Sequence, residues 1–337
     1  MGQTTTMTAA EIAGFAADIL EAAGTAPANA AVMARSIAAA ERDGIASHGL
    51  IYLPIYVEHV RCGKVDGRAV PVVTVPRPGT VLADAATGFA HPAIAAAAPT
   101  LVAAARSQGV AVLAVRNSYN CGVLGHHTEA MAAHGVVALG FTNAPATIAP
   151  VGGTTPVVGT NPFSLAVPDG TGGVALLIDQ SASVIARSEV VKRHREGQAI
   201  PEGWVVDAEG RPTTDPEQIL KGGSMAPSGG YKGVGIGILT EVMAAALAGA
   251  TLGIDASPFS GPVGGPPRTG QMFIAIDPAA TSGGAFAQRI ADLTAAIAAQ
   301  PGARLPGARR LDARAKHDRE GILVASDLLE KIRASVG

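Results

Sequence analysis

Val110-Ala111-Val112-Leu113-Ala114-Val115 and Val136-Val137-Ala138-Leu139-Gly140-Phe141 are two uninterrupted apolar hexamers separated by a stretch with helical character, Leu124 to Ala133. Apolar residues without alternation mark strands that are buried on both faces. The order strand, helix, strand signals an α/β layer. Upstream, Pro71 to Pro76 and Val81 to Asp84 have the β-branched run and Pro/Gly punctuation of short strands, and an Ala-rich helix is expected from Pro92 to Arg106. Downstream, the sequence predicts a strand over Val174 to Ile178 that ends on Asp179, and a polar helix within Ser183 to Gly197. A buried helix over Val234 to Leu247, a strand at Met272 to Ile276, a helix near Ala285 to Ala299 and a terminal helix from Ser326 complete this part. At the other end, Thr8 and Glu11 form a capping box for a helix reaching about Ala23, and Pro27 opens a second one through Arg42. Ile200 to Pro227 is rich in turn formers and reads as a long, largely irregular surface excursion, a kind of loop that usually serves function.

The 337 residues suffice for a substantial core, and 48% hydrophobic against 15% charged residues describes an ordered globular chain. A net charge of -2 with no Lys/Arg stripe, and aromatics at only 4%, argue against nucleic acid or an anionic membrane as partner, which leaves a small molecule. Cys62 and Cys121 form no CxxC pattern, so neither a disulfide framework nor a structural zinc is indicated and a reducing cytoplasm is expected. The start carries no secretory pattern, and Met1-Gly2 with Thr6 matches myristoylation only loosely. The apolar run from Val234 to Ile254 is broken by Thr240 and Glu241, which suits a buried helix rather than a membrane span.

Three glycine-anchored polar clusters stand out against this apolar background: Asp43-Gly44-Ile45-Ala46-Ser47-His48-Gly49, Gly159-Thr160-Asn161-Pro162 behind Ala149-Pro150-Val151-Gly152-Gly153, and Gly229-Gly230-Tyr231-Lys232-Gly233. Glycine lets backbone N–H groups approach phosphate closely, although each cluster alone reads first as a turn. No strand leads into GxGxxG and the third cluster lacks Walker A spacing, so neither a Rossmann domain nor a P-loop is supported. Ser47 beside His48 offers a hydroxyl-imidazole pair for proton relay, against the alternative of a turn residue and a packed ring. Without a GxSxG elbow, Ser47 is not read as a hydrolase nucleophile. His126-His127 with Glu129 lacks ligand spacing on a helix, because adjacent side chains point about 100° apart. No metal site is expected.

Taken together with Asn117-Ser118, Ile200-Pro201-Glu202-Gly203-Trp204 and Pro212-Thr213-Thr214-Asp215-Pro216, these clusters closely resemble the type-2 malate/L-lactate dehydrogenase-like oxidoreductases, nearly end to end. The resemblance implies a non-Rossmann, mixed-sheet α/β cofactor domain plus a helical domain built around the chain ends. On this chain that means a helical part over 1–70, an NAD(P)-binding core over 71–280 with its excursion near 198–228, and C-terminal helices over 281–337. It also implies a homodimer with a shared cleft and hydride transfer between NAD(P)H and a carbon next to a carboxylate. Within the family, Arg61 to Gly67 and Leu305 to Arg310 are most similar to the reductases of Δ1-piperideine-2-carboxylate and Δ1-pyrroline-2-carboxylate. Their Ser-His-acid relay falls on Ser47, His48 and Glu189. By the same carry-over, Thr160, Tyr52 and Asn120 face the substrate. Cys121, Gly122, Val123, Leu124 and Gly125, then Ile178, Asp179 and Gln180, then Gly229 and Gly230, and Leu305, Pro306, Gly307, Ala308, Arg309, Arg310 and Leu311 line the cofactor. NADPH is expected, with NADH as the other option; Arg187, Lys192, Arg193, Arg195 and Arg309 are candidates for its 2′-phosphate.

Two positions depart from the family pattern. Tyr52 stands where an Arg usually meets the substrate carboxylate, and Asn120 stands where many members carry His. Asparagine cannot protonate the alkoxide formed from a ketone, whereas an imine nitrogen takes its proton before hydride arrives. The exchange therefore favours an imine substrate over the keto acid of a malate or lactate dehydrogenase. A catalytically weakened, nucleotide-binding relative is the third reading. With Arg absent at position 52, the Tyr52 hydroxyl, backbone amides or another Arg must take the carboxylate.

Overall fold

The computed structural model describes residues 3–337, so the Met1-Gly2 start lies outside the described residues. Near the N-terminus β1 (Thr4–Met7), α1 (Ala9–Ala22), α2 (Pro27–Arg42) and α3 (Leu53–Arg61) follow one another. The Thr8 capping box is present: Glu11 N–H donates to Thr8 Oγ1 at 3.2 Å and Thr8 N–H to the Glu11 carboxylate at 2.7 Å. That fixes the entry to α1, whose Ile12, Ala16 and Leu20 pack with Met33 and Ile37 of α2 and with Leu53 and Tyr56 of α3.

A seven-stranded sheet supports the rest. Its strands are β2 (Val72–Arg77), β3 (Thr80–Asp84), β4 (Val110–Ser118), β5 (Val137–Thr142), β6 (Phe163–Pro168), β7 (Val174–Gln180) and, much later in the chain, β11 (Thr269–Ile276). The order is β2-β3-β4-β11-β5-β6-β7, and only β3 and β4 run parallel. That parallel pair is bridged by α4 (Ala90–Gln108), the crossover that such a pairing requires. The two hexamers read from sequence are β4 and β5, with α5 (Leu124–Ala132) between them in the chain, but they do not touch edge to edge. β11 inserts between them and runs antiparallel to both, with Phe273 opposite Leu113 on one side and Gly140 on the other.

Alternation explains why both hexamers are apolar throughout. Ala111, Leu113 and Val115 of β4, with Phe273 and Ala275 of β11, point into the layer of α4 and α5. Ala114 and Met272, with Val112 and Ile274, point to the opposite face, where Ala244 and Ala248 cover them. Gly140 is needed at its position: a Cβ there would lie 2.8 Å from Thr128 and 3.1 Å from the Phe273 ring.

Beyond the sheet, α6 (Arg187–Arg195) is followed by the excursion, which is more ordered than its composition suggests. It carries β8 (Val205–Val206), β9 (Pro212–Thr213) and β10 (Ser224–Met225) as a small sheet. Ile200, Val205, Ile219 and Met225 bury against Val158 and Val190, so the excursion has its own apolar anchor. α7 (Tyr231–Glu241) continues as a π-helical turn over Val242–Ala246. The last segment holds α8 (Pro278–Thr281), α9 (Phe286–Ala298), α10 (Ala308–Glu320), β12 (Ile322–Ala325) and α11 (Ser326–Ala334). β12 pairs antiparallel with β1, and Leu329 and Ile332 of α11 enter the core of α1 to α3. No described helix is long and apolar enough to cross a membrane.

Phe273 touches both neighbouring strands and is fully buried. Phe273→Ala is expected to lower unfolding stability by about 3–5 kcal/mol, measured as a shift in the urea midpoint at unchanged slope.

Candidate active site

The first glycine cluster begins where α2 stops. Asp43 closes the helix, Gly44 turns the chain at φ 71°, and a single 3₁₀ turn over Ala46–His48 follows. Asp43 is buried and receives two bonds from Arg314 of α10, both 2.8 Å, and sits 3.0 Å from His126 Nε2 on α5. Burial alone would raise its pKa, but the bonds from Arg314 and His126 hold the carboxyl far below the usual carboxylate range. Arg314 also binds Glu129 at 2.8 Å, and these carboxylates push its own pKa up. The turn is fixed from the other side by Glu41, whose carboxylate accepts the Leu50 N–H at 2.7 Å and lies where a Cβ on Gly49 would be.

On that turn Ser47 Oγ lies 3.0 Å from His48 Nδ1. Burial lowers the His48 pKa below its ordinary value; the Asp179 charge opposes this, and His126 and Arg310 reinforce it. His48 is therefore mostly a neutral imidazole at pH 7, with Nε2 left for proton exchange.

Asp179, at the end of β7, is the second junction. It accepts the Gly125 N–H at 3.0 Å and an Arg310 Nη2 bond at 2.6 Å. A Cβ on Gly125 would lie 2.6 Å from Arg310 and 2.7 Å from Asp179, so only glycine admits this pair. Arg310 belongs to the Leu305 to Leu311 turn, which docks on β7 through the bond from Leu177 N–H to Pro306 O and through Gly307, at φ 90° against Leu177. The Arg310 Nη1 atom is buried without a partner.

From Asp179 the chain runs to the other clusters. Ala182 N–H donates to Thr160 O at 2.8 Å, and Ser228 N–H donates to Ala182 O at 2.7 Å, which brings Thr160 beside Gly229 and Gly230. Both glycines have φ above 60°, a Cβ on either would meet nothing within 4 Å, and they lead directly into α7. Asn161, next to Thr160, is a structural tie. Its amide donates to Gly237 O at 2.9 Å and to Glu241 at 2.7 Å while its oxygen accepts the Ala144 N–H at 3.1 Å. Glu241 also takes bonds from Asn143 and Gly253 and is buried.

Asn120 shapes the next loop by accepting the Gly122 N–H at 2.6 Å. Within that loop Cys121 is buried and its thiol is pushed up to about 12 by burial, so it is not a nucleophile at neutral pH. His127 Nε2 donates to Cys121 O at 2.8 Å, and burial brings the His127 pKa down to about 4. The Tyr52 hydroxyl donates to Phe259 O at 3.3 Å; burial raises its pKa to about 12, against Arg187, Tyr119 and Asn120 beside it.

Ser47, His48, Asp179, Arg310 and the Cys121 to Gly125 loop are thus gathered in one region, and Thr160 with Gly229 and Gly230 in a second that the Asp179 to Arg187 segment connects to it. Glu189 is not hydrogen-bonded to the Ser47-His48 pair among the described residues. Its carboxylate accepts Arg193 Nε at 3.2 Å on α6. Arg193 in turn lies 5.8 Å over the Trp204 ring, while Lys192, Arg195 and Arg309 are exposed. Among the described residues no group of His, Cys, Asp and Glu is arranged to hold a metal ion.

Residues 7–333 match the malate/L-lactate dehydrogenase family. The chain belongs to this family. It is 40% identical over 319 residues to a Δ1-pyrroline-2-carboxylate/Δ1-piperideine-2-carboxylate reductase of Pseudomonas putida, covering 95% of this chain and 93% of that one. It is 41% identical to a (2R)-3-sulfolactate dehydrogenase (NADP+) of Chromohalobacter salexigens, over 94% and 93% of the two chains. The crystal structure of Δ1-piperideine-2-carboxylate reductase from Pseudomonas syringae pv. tomato superposes with a TM-score of 0.91 at 37% identity, over 98% of this chain and 100% of that one. The family membership makes the protein an oxidoreductase that works with a nicotinamide cofactor.

The roles of Arg314, Glu129 and Glu241 are not evident from sequence. Arg314 lies on a helix so rich in charge that it offers no apolar stripe, and Glu241 interrupts an apolar run without any sign of its bonded partners. The one available signal is the spacing of Arg310 and Arg314, one helical turn apart.

Asp43 has a depressed pKa in the folded state, so the stability it contributes is present at neutral pH. That contribution declines as pH falls below about 4, the ordinary value of an aspartate. Arg314→Met is expected to cost about 3 kcal/mol at pH 7 and to flatten this acid limb, measured by denaturant titrations from pH 7 to pH 3. An unchanged pH profile in the variant would show that Arg314 does not hold Asp43 ionised.

Proposed function

We propose that this protein is an NAD(P)H-dependent reductase of cyclic imine 2-carboxylates that converts Δ1-pyrroline-2-carboxylate or Δ1-piperideine-2-carboxylate to L-proline or L-pipecolate. The observation that carries this reading is the Ser47-His48 pair: an imidazole held at Nδ1 by a hydroxyl, largely neutral at pH 7, within the field of Asp179. A neutral imidazole is a scarce acid at that pH. This suits an imine, whose nitrogen takes up its proton before reduction, better than a ketone that needs an acid as the alkoxide forms. The relatives named above as imine reductases support the same choice.

When bound, the dinucleotide supplies the hydride. The residues fit such a group: a Cβ on Gly229 or Gly230 would meet only free space, so this turn at the start of α7 leaves room for a phosphate, and Arg310 presents a buried nitrogen without a partner. In this reading Cys121 to Gly125, Ile178 to Gln180, Gly229-Gly230 and Leu305 to Leu311 hold the cofactor, and exposed Arg309, Lys192 and Arg195 favour NADPH over NADH. Ser47 orients the His48 ring, His48 Nε2 exchanges the proton at the substrate nitrogen, and Glu189 completes the relay. Thr160, Tyr52 and Asn120 face the substrate.

The same reading takes the enzyme to be a homodimer with a shared cleft, working in a reducing cytoplasm. It divides the chain into a helical unit formed by 1–70 with 281–337 and a cofactor core over 71–280. A 2-hydroxy-acid dehydrogenase is the second reading, favoured by the sulfolactate dehydrogenase relative.

Initial rates with both coenzymes across the two cyclic imines, pyruvate, oxaloacetate and 3-sulfopyruvate decide between them. The imines are expected to be reduced fastest, with NADPH preferred; faster turnover of any of the oxo acids would reject the imine assignment. His48→Ala is expected to reduce kcat by roughly 10²- to 10⁴-fold while NADPH binding, followed by fluorescence, stays unchanged. Coenzyme binding without turnover of any substrate would instead indicate a non-catalytic relative.

A further inference from the structure

Between the π-helical turn after α7 and β11 runs the segment Ser257-Pro258-Phe259-Ser260-Gly261, in which no backbone group is hydrogen-bonded to another backbone group. Side chains of the 52–64 stretch hold it instead, by donating to three of its carbonyls. Lys64 Nζ reaches Pro258 O at 2.7 Å, the Tyr52 hydroxyl reaches Phe259 O at 3.3 Å, and His59 Nε2 reaches Gly261 O at 3.1 Å. The Phe259 ring lies beside Tyr119, with centroids 5.4 Å apart, in a cluster that continues to Phe89, Tyr56 and Tyr52. Three of the chain's 4 tyrosines belong to it, so a chain poor in aromatics concentrates them at this one strap.

His59 and Lys64 are both fully buried, and the chemistry described for Ser47 and His48 uses neither. Burial lowers the His59 pKa and the Lys64 charge adds to this, against Gly261 O and Glu58, so the ring is neutral. With Nε2 donating to Gly261 O, its Nδ1 is left to accept from the Tyr119 hydroxyl. Tyr119 precedes Asn120 and borders Tyr52, so one imidazole ties the strap to two positions read above as facing the substrate. Lys64 has a single carbonyl in place of the water that an ammonium prefers, and it regains that water when the strap lifts. Opening the strap therefore breaks three side-chain bonds and no backbone ladder, and it returns a charge to solvent.

We infer that His59 and Lys64 are positioning residues: they latch the 257–261 strap against Tyr52, and the latched strap completes the substrate side of the cleft. The inference deepens the proposed function and rests on it for placing the substrate at Tyr52 and Asn120, whichever acid is reduced. Coupling of this kind is reciprocal. If the latched strap strengthens substrate binding, a molecule in the substrate position holds the strap shut by the same factor.

The test uses the full-length enzyme. NADPH and the product, L-proline or L-pipecolate, are both reduced and form a complex that cannot react. Hydrogen exchange at the Phe259, Ser260 and Gly261 amides, followed by mass spectrometry, is expected to slow by about 5- to 100-fold when product saturates the enzyme–NADPH complex. Lys64→Met is expected to speed exchange at these amides and to raise KM for the cyclic imine by a factor in the same range. Its kcat should stay within about 3-fold and its dissociation constant for NADPH within about 2-fold, since binding on the substrate side alone is weakened. Lys64→Arg, which keeps a donor for Pro258 O, should recover most of the loss. Phe259→Ala loosens the strap from its own side and is expected to show the pattern of Lys64→Met, so it carries the test if thermal melts show that the lysine variants do not fold. The inference is overturned if product leaves exchange of the strap unchanged, or if a folded variant with faster exchange keeps the wild-type KM. It is also overturned if NADPH affinity falls while KM holds, which would assign the strap to the cofactor. Should the wild-type enzyme reduce a 2-oxo acid instead of the imines, the proposed substrate fails, and the same measurements with that acid and its 2-hydroxy acid product still judge the strap.

Discussion

Two arginines one turn apart on α10 hold Asp179, whose charge acts on His48, and Asp43, which precedes the turn that carries His48. Arg310 binds Asp179 at the end of β7, and Arg314 binds Asp43 at the end of α2. Through them a C-terminal helix fixes the distance between the turn that carries Ser47 and His48 and the edge of the sheet. Each carboxylate has further donors, Gly125 N–H for Asp179 and His126 for Asp43, so the two pairs also bring in both ends of the 125–126 dipeptide at the start of α5. Four separate parts of the chain therefore meet around one imidazole, and none of them could shift without leaving a buried charge unpaired.

The sheet makes that meeting possible. β11 enters between β4 and β5 from 127 residues or more further along the chain, so three strands separate β4 from β7, and the loop after β4 crosses them to bond the end of β7 through Gly125. Asn161 and Asn143 then tie the loops after β5 to α7 through Glu241, and this polar core aligns Thr160 with the glycines at the start of that helix. Buried networks of this kind are fully bonded here, which is the condition under which they specify a geometry instead of weakening it.

Much of this is legible from sequence where local physics decides. The capping box at Thr8, proline at the start of α2, and the uninterrupted apolar hexamers all form the elements that their patterns describe. The Ser47-His48 contact also follows from adjacency on a tight turn. What the sequence does not disclose is long-range. β6 is hidden within a Gly/Pro-rich stretch, the partner of β4 and β5 lies far downstream, and α10 lacks the apolar stripe by which helices are recognised. Asp179 stands out for its position at a strand end, but its link to Arg310 depends on a pairing 131 positions apart that no local pattern encodes.

On the proposed reading these dispersed segments form one cleft in which a reduced nicotinamide lies against His48 without a Rossmann scaffold. A crystal structure of the NADPH complex tests it most directly. The expected result is a nicotinamide ring beside His48 and the Cys121 to Gly125 loop, with the pyrophosphate at the Gly229-Gly230 turn. A dinucleotide seated away from His48, with that glycine turn free of phosphate, would contradict it.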